Sequence, residues 1–363
     1  MTDKNYLPLI ERVDAAYHSD QALDICGASS KAFYGAPPAG LALPVRDNQG
    51  IIEYDPAELV VVARAGTELN EIQSVLAEHG QMLGFEPPFA GQGATLGGAI
   101  ASGLAGAGRA YRGGVRDYLL GTKSINGRAQ VTQFGGRVMK NVAGFDLFRP
   151  MAGAMGTLGV LLEASLRVIP IPEQETSVEF DEATQATAIK TLCRFGKQLP
   201  GLSAGGWFQG KIQLRLSGSR LAVSRDIKLL ESLHTVAEID NANWLAISQF
   251  EHPFFELPGL NEAGSQDSIV AIDVSPATPP VDLPGELLID WGGARRYLKT
   301  SMSIGHLRQI VEKSGGSATQ LKGRNRTEFF HPLSPSLMSI HRRLKKSFDP
   351  KGILNPGRLY PDL

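Results

Sequence analysis

Five small or polar residues behind a short apolar run are the first part of this sequence that could do chemistry. The run ALDIC is followed by Gly27, Ala28, Ser29, Ser30 and Lys31. Successive small residues allow consecutive backbone N–H groups to point at one anion, and the serine hydroxyls add further donors. A pyrophosphate is the natural guest of such a loop, although a strand-to-turn junction without a ligand has the same composition.

A second glycine-rich stretch, GQGATLGGAIASG, runs from Gly91 to Gly103. Gly97 and Gly98 open an apolar turn of small residues, and we expect a helix whose first N–H groups face a ligand oxygen. Between Gly91 and Gly159 there are 17 glycines in 69 residues, roughly three times the average usage of ~7%. Apolar runs such as TLGVLLEASLRVI interrupt the glycines, so the stretch is not a linker. It indicates either tight β-rich packing or a large flat ligand lying against the backbone.

Motifs and composition exclude several other classes of function. The sequence has no G-x-x-x-x-G-K-[ST] motif and no G-x-G-x-x-G motif in a suitable βαβ unit, which disfavours ATP and nicotinamide dinucleotides. A net charge of -1 over 363 residues disfavours nucleic acid as a partner. Two cysteines, Cys26 and Cys193, fit a reducing cytoplasm. Without a signal peptide or a run of ~18 apolar residues, we expect a cytoplasmic protein with at most peripheral membrane association.

The elements that position these loops indicate an α+β fold. Residues 5–19 have the apolar spacing of a helix, ALDICG and ELVVVARAG look like strands, and TELNEIQSVLAEHGQ looks like a helix with Thr67 as its N-cap. Pro170 and Pro172 then mark a domain boundary.

The second half of the chain has the pattern of another α+β domain. Strand-like runs (GWFQGKIQLRLSG, NWLAISQF, ELLIDWGGARRYLKT) alternate with helix-like ones (ATQATAIKTLCRFGKQL, SRDIKLLESLHTV, GHLRQIVEKSG). This alternation predicts an antiparallel sheet with helices. Residues 257–285 are expected to form a long loop, and the chain ends in a basic helix, LMSIHRRLKKSF, and an extended tail.

In chain order, these motifs resemble those of the FAD-linked oxidases of the vanillyl-alcohol-oxidase (PCMH) type, and within that family the FAD-binding E subunits of glycolate oxidases. The resemblance rests on GASSK, ATLGGAIASGLAG, GGVRDYLLGT, KNVAGFDLFRPMAGAMGTLGVLLEASLRVIP and FDPKGILNPGRLYP. It covers essentially the whole chain and is strong in residues 25–172 and 286–363. It implies a PCMH-type FAD-binding domain of two α+β subdomains (residues 1–172), an α+β cap domain with an antiparallel sheet (173–322), and a C-terminal segment (323–363) that returns to the FAD domain.

The resemblance also assigns residues to the cofactor, FAD. Residues 27–31 match the pyrophosphate loop. The other matching positions are Ala94, Thr95, Gly97, Gly98, Ser102 and Gly103 in the second loop, Gly114 and Asp117 on the adenine and ribose side, Gly156, Thr157, Leu158, Gly159 and Val160 at the start of a strand, and Asn355, Pro356 and Gly357 in the tail. Some relatives attach FAD to a histidine of the first loop or a cysteine of the second. Here those loops contain Ser29 and Ser30 and no cysteine, so we expect non-covalent FAD.

A substrate site is harder to find. Oxidation of a 2-hydroxy acid needs a base, a cation for the carboxylate and a flavin to accept hydride. The candidates for the cation are Arg295, Arg296, Arg324 and Arg326, because a guanidinium binds a carboxylate bidentately, although solvated loop charges have the same sequence pattern. His331 either lines the flavin or simply packs. The histidines lack metal-ligand spacing, so no metal site is expected, and no residue is assigned as the base.

The resemblance implies a subunit of a glycolate oxidase complex. Such a chain takes part in oxidising glycolate to glyoxylate, with electrons passed through its flavin to a larger FAD-containing subunit and an iron–sulfur subunit. Two cysteines are too few for an iron–sulfur cluster of its own. The alternatives are a self-sufficient FAD-dependent 2-hydroxy-acid dehydrogenase and a degenerate structural subunit. Seven Lys/Arg residues between Lys322 and Lys346 form either a docking patch for an acidic partner or anionic lipid, or a solvated face.

Overall fold

The computed structural model describes residues 3–136, 146–257, 267–323 and 329–363. It forms two compact units. The first contains Met1–Leu104, Gly114–Ile171 and Thr327–Leu363, and the second contains Ala105–Gly113 and Pro172–Arg326. The described helices, in chain order, are α1 (Leu7–Ser19), α2 (Leu69–Ala77), α3 (Leu96–Ser102), α4 (Arg109–Arg112), α5 (Val115–Tyr118), α6 (Gln185–Gln198), α7 (Arg220–Glu231), α8 (Ala242–Ser248), α9 (Ile304–Glu312) and α10 (Pro335–Phe348).

The first unit is built on an antiparallel sheet with two smaller strand pairs beside it. Its described strands are β1 (Leu23–Cys26), β2 (Leu41–Pro44), β3 (Ile51–Asp55), β4 (Val60–Arg64), β5 (Gln81–Met82), β6 (Leu119–Ile125), β7 (Val131–Gly135), β8 (Val160–Arg167) and β9 (Ile169–Pro170). The sheet has the order β3-β4-β8-β6-β7, while β1 pairs with β2 in parallel and β5 with β9. The α+β fold predicted from the sequence is confirmed.

Continuous apolar runs place β4 and β8 in the middle of this sheet. The first four residues of β4 and the first seven of β8 are buried, as expected for strands covered on both faces. Their register sets Val62 opposite Ser165. Helix α1 buries Leu9, Val13 and Ala16, the face that its apolar spacing predicts. Full burial of a leucine or valine side chain contributes about 1.5–3 kcal/mol, so this face fixes α1 to the core.

The predicted N-cap of α2 is wrong by one residue. Thr67 is not its N-cap, because the helix is preceded by Glu68, whose side chain makes no capping hydrogen bond. The hydroxyl of Thr67 instead accepts the N–H of Gly50 at 2.9 Å, and its carbonyl accepts the N–H of Leu96. Thr67 therefore ties two neighbouring loops to the helix start, which is a tertiary role that local sequence does not reveal.

The second unit contains an antiparallel sheet, as predicted. Its described strands are β10 (Gln174–Asp181), β11 (Leu202–Phe208), β12 (Lys211–Gly218), β13 (Ala237–Ile239), β14 (Ser268–Asp273), β15 (Glu286–Asp290), β16 (Arg295–Thr300) and β17 (Ser317–Lys322). Their order is β13-β10-β12-β11-β15-β16-β14-β17. Strands β11 and β12 form a hairpin whose two turn residues, Gln209 and Gly210, both have positive φ, as two-residue hairpin turns require.

Two sequence-based assignments in the second unit are wrong. The run NWLAISQF (residues 243–250) was expected to be a strand, but its first six residues lie in α8, where Trp244 and Ile247 are buried one helical turn apart. The expected long loop at 257–285 contains β14, an inner strand between β16 and β17. The prolines and glycines on either side of this strand made the whole segment look like a loop. Five of the six residues of β14 are in fact buried. Part of the expected loop, residues 258–266, lies outside the described residues.

Candidate functional site

A cleft lies in the first unit. Its walls come from the loop after β1, the start of α3, the turn before β8 and the C-terminal tail. The predicted cofactor residues that line it are Gly27, Ala28, Ser29, Ser30, Lys31, Thr95, Gly97, Gly98, Ser102, Gly156, Gly159 and Asn355. The fold thus brings together segments that are more than 300 positions apart in the sequence.

Other residues of the predicted set lie away from the cleft wall. Ala94 is fully buried, Gly103 ends α3 with φ +66°, and Val160 belongs to the core of β8. The remaining ones are Gly114, Asp117, Thr157, Leu158, Pro356 and Gly357. Gly114 donates its N–H to the Asp117 carboxylate at 2.9 Å, which caps α5. None of these residues belongs to the lining of the cleft.

The loop after β1 presents a row of backbone donors. None of the five N–H groups from Gly27 to Lys31 donates to any part of the chain that the structure describes. Ser29 has a left-handed backbone, with φ +56°. Alternation of right- and left-handed residues turns successive N–H groups toward one point and creates an anion-binding concavity. The loop therefore offers five backbone N–H groups that no described residue occupies, with one left-handed position among them.

Lys31 adds a positive charge to this loop. Its side chain is only 8% exposed, and burial lowers the pKa of its ammonium group to about 8. The ammonium lies 3.3 Å from the Ser30 hydroxyl and over the Phe89 ring, and no carboxylate in the described residues pairs with it. A buried ammonium without a counter-ion is costly, so a bound anion stabilises this arrangement.

Helix α3 contributes differently from what its sequence predicts. Its first N–H groups do not face a ligand, because Leu96 donates to Thr67, Gly97 to the Ala65 carbonyl at 2.7 Å, and Gly98 to the Thr95 hydroxyl at 3.2 Å. The short helix therefore supplies a close-fitting surface instead of hydrogen-bond donors.

Gly27 shows how tightly the first and second loops approach each other. A Cβ atom on Gly27 would lie 2.5 Å from the Oγ1 atom of Thr95. Only glycine leaves room for Thr95, whose hydroxyl caps α3. The absence of a side chain at Gly27 is therefore required by loop packing as well as by access to the backbone donors.

Asn355 of the tail joins three segments beneath the cleft. Its Oδ1 atom accepts the Ile25 N–H at 2.7 Å, and its Nδ2 atom donates to the Met155 carbonyl at 2.6 Å. Its own N–H donates to the Leu23 carbonyl. A Cβ atom on Gly156 would lie 2.6 Å from Nδ2, so a glycine is needed there. Asn355 itself is 6% exposed.

Arg358 is a cleft residue that the sequence analysis missed. Its guanidinium donates to the carbonyls of Tyr34 at 2.9 Å and of Ala36. These contacts fix residues 34–36, which follow the unpaired N–H groups of residues 27–31 in the chain. The signal was present, because Arg358 directly follows the Asn-Pro-Gly tail motif, but its partners lie more than 320 positions earlier.

Apart from Asp24, Cys26 and Arg358, the rest of the cleft lining is apolar. Val45, Ala65, Ala101, Met155 and Leu161 form that part of its lining. The cleft therefore suits a ligand that combines a diphosphate with flat apolar rings. Together, the antiparallel α+β unit, the unpaired N–H groups and this lining define a dinucleotide-binding domain of the flavin type.

Comparisons with known proteins agree with this class. Residues 5–135 match the FAD binding domain model, and residues 294–359 match the model of the C-terminal domain of FAD linked oxidases. The chain is 40% identical to the glycolate oxidase subunit GlcE of Escherichia coli (strain K12), over 98% of this chain and 97% of that one. The chain belongs to the FAD-linked oxidase family and is an FAD-dependent oxidoreductase.

More distant matches are found by sequence and by structure. A D-lactate dehydrogenase of Archaeoglobus fulgidus is 22% identical over 85% of this chain and 79% of that one. The solved structure of an alkyldihydroxyacetonephosphate synthase superposes with a TM-score of 0.67 at 16% identity, covering 96% of this chain and 73% of that one. At that identity the superposition shows a common fold only.

The structure places two of the candidate arginines in structural roles. Both lie on β16 rather than in a solvated loop. Arg295 makes two 2.8 Å hydrogen bonds to Asp273, and its guanidinium lies 3.8 Å from the centre of the Trp291 ring. Arg296 is 2% exposed and donates to backbone carbonyls, including that of Pro279 at 2.9 Å. The donors expected to bind a carboxylate are thus engaged within the second unit.

The other substrate-site candidates are Arg324, Arg326 and His331. Arg324 and Arg326 lie outside the described residues. The carbonyl of His331 accepts the Tyr360 hydroxyl at 3.2 Å, which holds it in the first unit. Within the described ranges, no three His, Cys, Asp or Glu side chains gather as a metal site. No helix in those ranges is long and apolar enough to cross a membrane.

Proposed function

We propose that this chain is the FAD-binding subunit of a complex that oxidises a small 2-hydroxy acid, glycolate, to its 2-oxo acid, glyoxylate. The observation that supports it most is the 40% identity to a glycolate oxidase subunit along 98% of the chain. Bound FAD supplies the acceptor for the hydride that leaves the CH–OH carbon. The loop 27–31 binds the diphosphate through its N–H groups and Lys31, and Thr95, Gly97 and Gly98 pack against the cofactor.

The flavin is held without a covalent bond. The first-loop positions at which some relatives carry an attaching histidine contain Ser29 and Ser30 here, and the second loop, where others carry an attaching cysteine, has none. Among the described residues lining the cleft, Cys26 is the one thiol and no histidine occurs. Burial raises the pKa of the Cys26 thiol, so its nucleophilic thiolate form is disfavoured. The residues present favour reversible binding.

The chain works with partners. A larger flavin-containing subunit and an iron–sulfur subunit receive the electrons. The iron–sulfur cluster must lie in a partner, because two cysteines do not suffice to hold a cluster in this chain. The engagement of Arg295 and Arg296 within the second unit supports the same view, since both guanidiniums already donate to partners there.

Two measurements on purified protein test this proposal. Acid precipitation separates covalent from non-covalent flavin, and we expect the yellow colour in the supernatant. Anaerobic addition of glycolate then separates a subunit from a self-sufficient enzyme. We expect flavin bleaching when the chain is co-expressed with its partner subunits, and none with the chain alone.

Each alternative has its own result. Bleaching by the isolated chain indicates a self-sufficient dehydrogenase. A colourless chain that takes up no added FAD indicates a degenerate structural subunit. Flavin that stays with the precipitate overturns the non-covalent assignment alone.

A further inference from the structure

Lys345 lies on helix α10 within the basic stretch of the sequence, yet its side chain is buried. The residue is 7% exposed, whereas its neighbours Lys346 and Ser347 are exposed. Lys322, at the other end of the stretch, belongs to the second unit. The basic stretch is therefore not one continuous solvated face, and the position of Lys345 needs a different explanation.

The ammonium group of Lys345 has three acceptors, one for each of its hydrogens. It donates to the Oδ2 atom of Asp349 at 2.8 Å, to the Thr157 carbonyl at 2.8 Å and to the Leu354 carbonyl at 2.7 Å. Asp349 is 1% exposed, and its carboxylate also accepts the N–H groups of Ile353 and Leu354. A buried ion pair needs hydrogen bonds to both charges, and this pair has them.

The pair reaches the cofactor cleft through the turn before β8, residues 155–157. Lys345 holds the Thr157 carbonyl, and the side chain of Asn355 holds the Met155 carbonyl at 2.6 Å. The C-terminal segment thus fixes two alternate carbonyls of one turn. The residue between them is Gly156, which lines the cleft, while Lys345 lies outside the lining. Any effect of Lys345 on a ligand in the cleft therefore passes through this turn.

Fixing the Met155 carbonyl also fixes the direction of the next backbone donor, the Gly156 N–H. The C=O and N–H groups of a trans peptide point in opposite directions, so this N–H points away from the Asn355 amide. It donates to no acceptor in the part of the chain that the structure describes. Met155 has φ +51°, a left-handed backbone that is uncommon without glycine and that only fixed surroundings maintain. The two tethers supply such surroundings.

We propose that Lys345 and Asp349 are positioning residues for FAD, and that their buried pair holds the turn 155–157 so that the Gly156 N–H donates to the bound cofactor. This inference rests on the proposed function, which places FAD in this cleft. A donor that is already fixed before the ligand arrives loses little conformational freedom on binding, so the tethered turn raises FAD affinity.

A double substitution separates positioning from mere stabilisation. Lys345→Met alone leaves Asp349 buried without its partner, and we expect a large fall in melting temperature. Adding Asp349→Asn removes the second charge while its amide oxygen still accepts backbone N–H groups, so the melting temperature should recover toward that of the wild type. Because Thr157 stays untethered, we expect FAD to bind the double variant about 10-fold more weakly in a fluorescence titration.

The matched control is Lys346→Met, at an exposed position of the same helix. It removes one positive charge from α10 and should keep both the melting temperature and the FAD affinity of the wild type. An FAD affinity that recovers in step with the melting temperature of the double variant overturns the proposal, because the pair would then only stabilise the fold.

Hydrogen exchange in the unaltered chain, followed by NMR, gives a test that needs no variant to fold. We expect FAD to protect the Gly156 amide together with the amides of the loop 27–31, and the protection at Gly156 to be lost in the double variant. Protection of the loop without protection of Gly156 overturns this inference alone. Lack of protection at both places contradicts the placement of FAD in the cleft, and so the proposed function.

Discussion

Asn355 and Ile25 are 330 positions apart in the sequence, yet the side-chain oxygen of Asn355 accepts the Ile25 N–H at 2.7 Å. The same side chain donates to the Met155 carbonyl at 2.6 Å. One buried amide therefore joins β1, the turn before β8 and the tail. Because the donor loop of the cleft starts two residues after Ile25, the position of this loop depends on the end of the chain.

Replacing Asn355 with alanine should weaken both folding and FAD binding. Two hydrogen bonds are lost, and the Ile25 N–H and the Met155 carbonyl are left buried without partners, at about 1–3 kcal/mol each. We expect the free energy of unfolding to fall by about 2–6 kcal/mol, measured by urea denaturation. Asn70→Ala, at an exposed position of α2, is the control. Equal stability of the two variants would contradict the bridging role.

Replacing Gly27 with alanine should reduce FAD affinity by at least about 10-fold, a difference of about 1.4 kcal/mol. The added Cβ would lie 2.5 Å from Thr95 Oγ1, so the two loops must separate. Gly91→Ala is the matched control, because a Cβ at Gly91 meets nothing within 4 Å. Fluorescence titration with FAD gives the dissociation constants.

A second substitution tests whether the contact with Thr95 causes the loss of FAD affinity in Gly27→Ala. Thr95→Ala removes the clashing hydroxyl, although it also removes the N-cap of α3, at a cost of about 1 kcal/mol. We expect the double variant to bind FAD more tightly than Gly27→Ala alone. Additive losses in the double variant would show that the contact with Thr95 is not the cause.

Replacing Lys31 with methionine should stabilise the FAD-free protein at pH 7 while weakening FAD binding. Burial lowers the Lys31 pKa to about 8 from 10.5, which costs on the order of 3 kcal/mol when the group is charged. Between these two values the unfolded chain binds more protons, so wild-type stability rises with pH. The advantage of Lys31→Met should therefore shrink from pH 7 to pH 10.

The binding side of this prediction has its own measurement. A charged Lys31 pairs with the diphosphate, so wild-type FAD affinity should fall as the pH passes 8. The affinity of Lys31→Met should be lower at pH 7 and nearly independent of pH in this range. Lys190→Met, at an exposed position of α6, should behave as wild type. Parallel pH profiles for wild type and Lys31→Met would argue against an anion partner for Lys31.

Replacing Arg295 with alanine should destabilise the second unit without changing FAD affinity. The substitution leaves Asp273 without its bidentate partner and removes the guanidinium stacked on Trp291. We expect a loss of about 1–3 kcal/mol in thermal unfolding. Unchanged stability, together with loss of glycolate-dependent flavin reduction in the complex, would instead identify Arg295 as a substrate-binding residue.

The sequence by itself determined the local features. The apolar spacing of α1, α6, α7, α9 and α10, the buried runs of β4 and β8, and the small residues of the loop 27–31 all follow from short-range chemistry. It failed where tertiary contacts override local preference. In α8, the burial of Trp244 and Ile247 outweighs a strand-like composition, and β14 is stabilised by pairing on both edges.

Only the tertiary structure decided which groups face the ligand. Helix α3 and the loop 27–31 both consist largely of small residues, yet the first N–H groups of α3 donate to Thr67, Ala65 and Thr95, while those of the loop remain free within the described chain. Packing also decides the charge partners: no described carboxylate lies beside Lys31, whereas strand pairing sets Asp273 beside Arg295. A backbone or side-chain donor has its partner chosen by whichever distant segment packs beside it, and no local pattern encodes that choice.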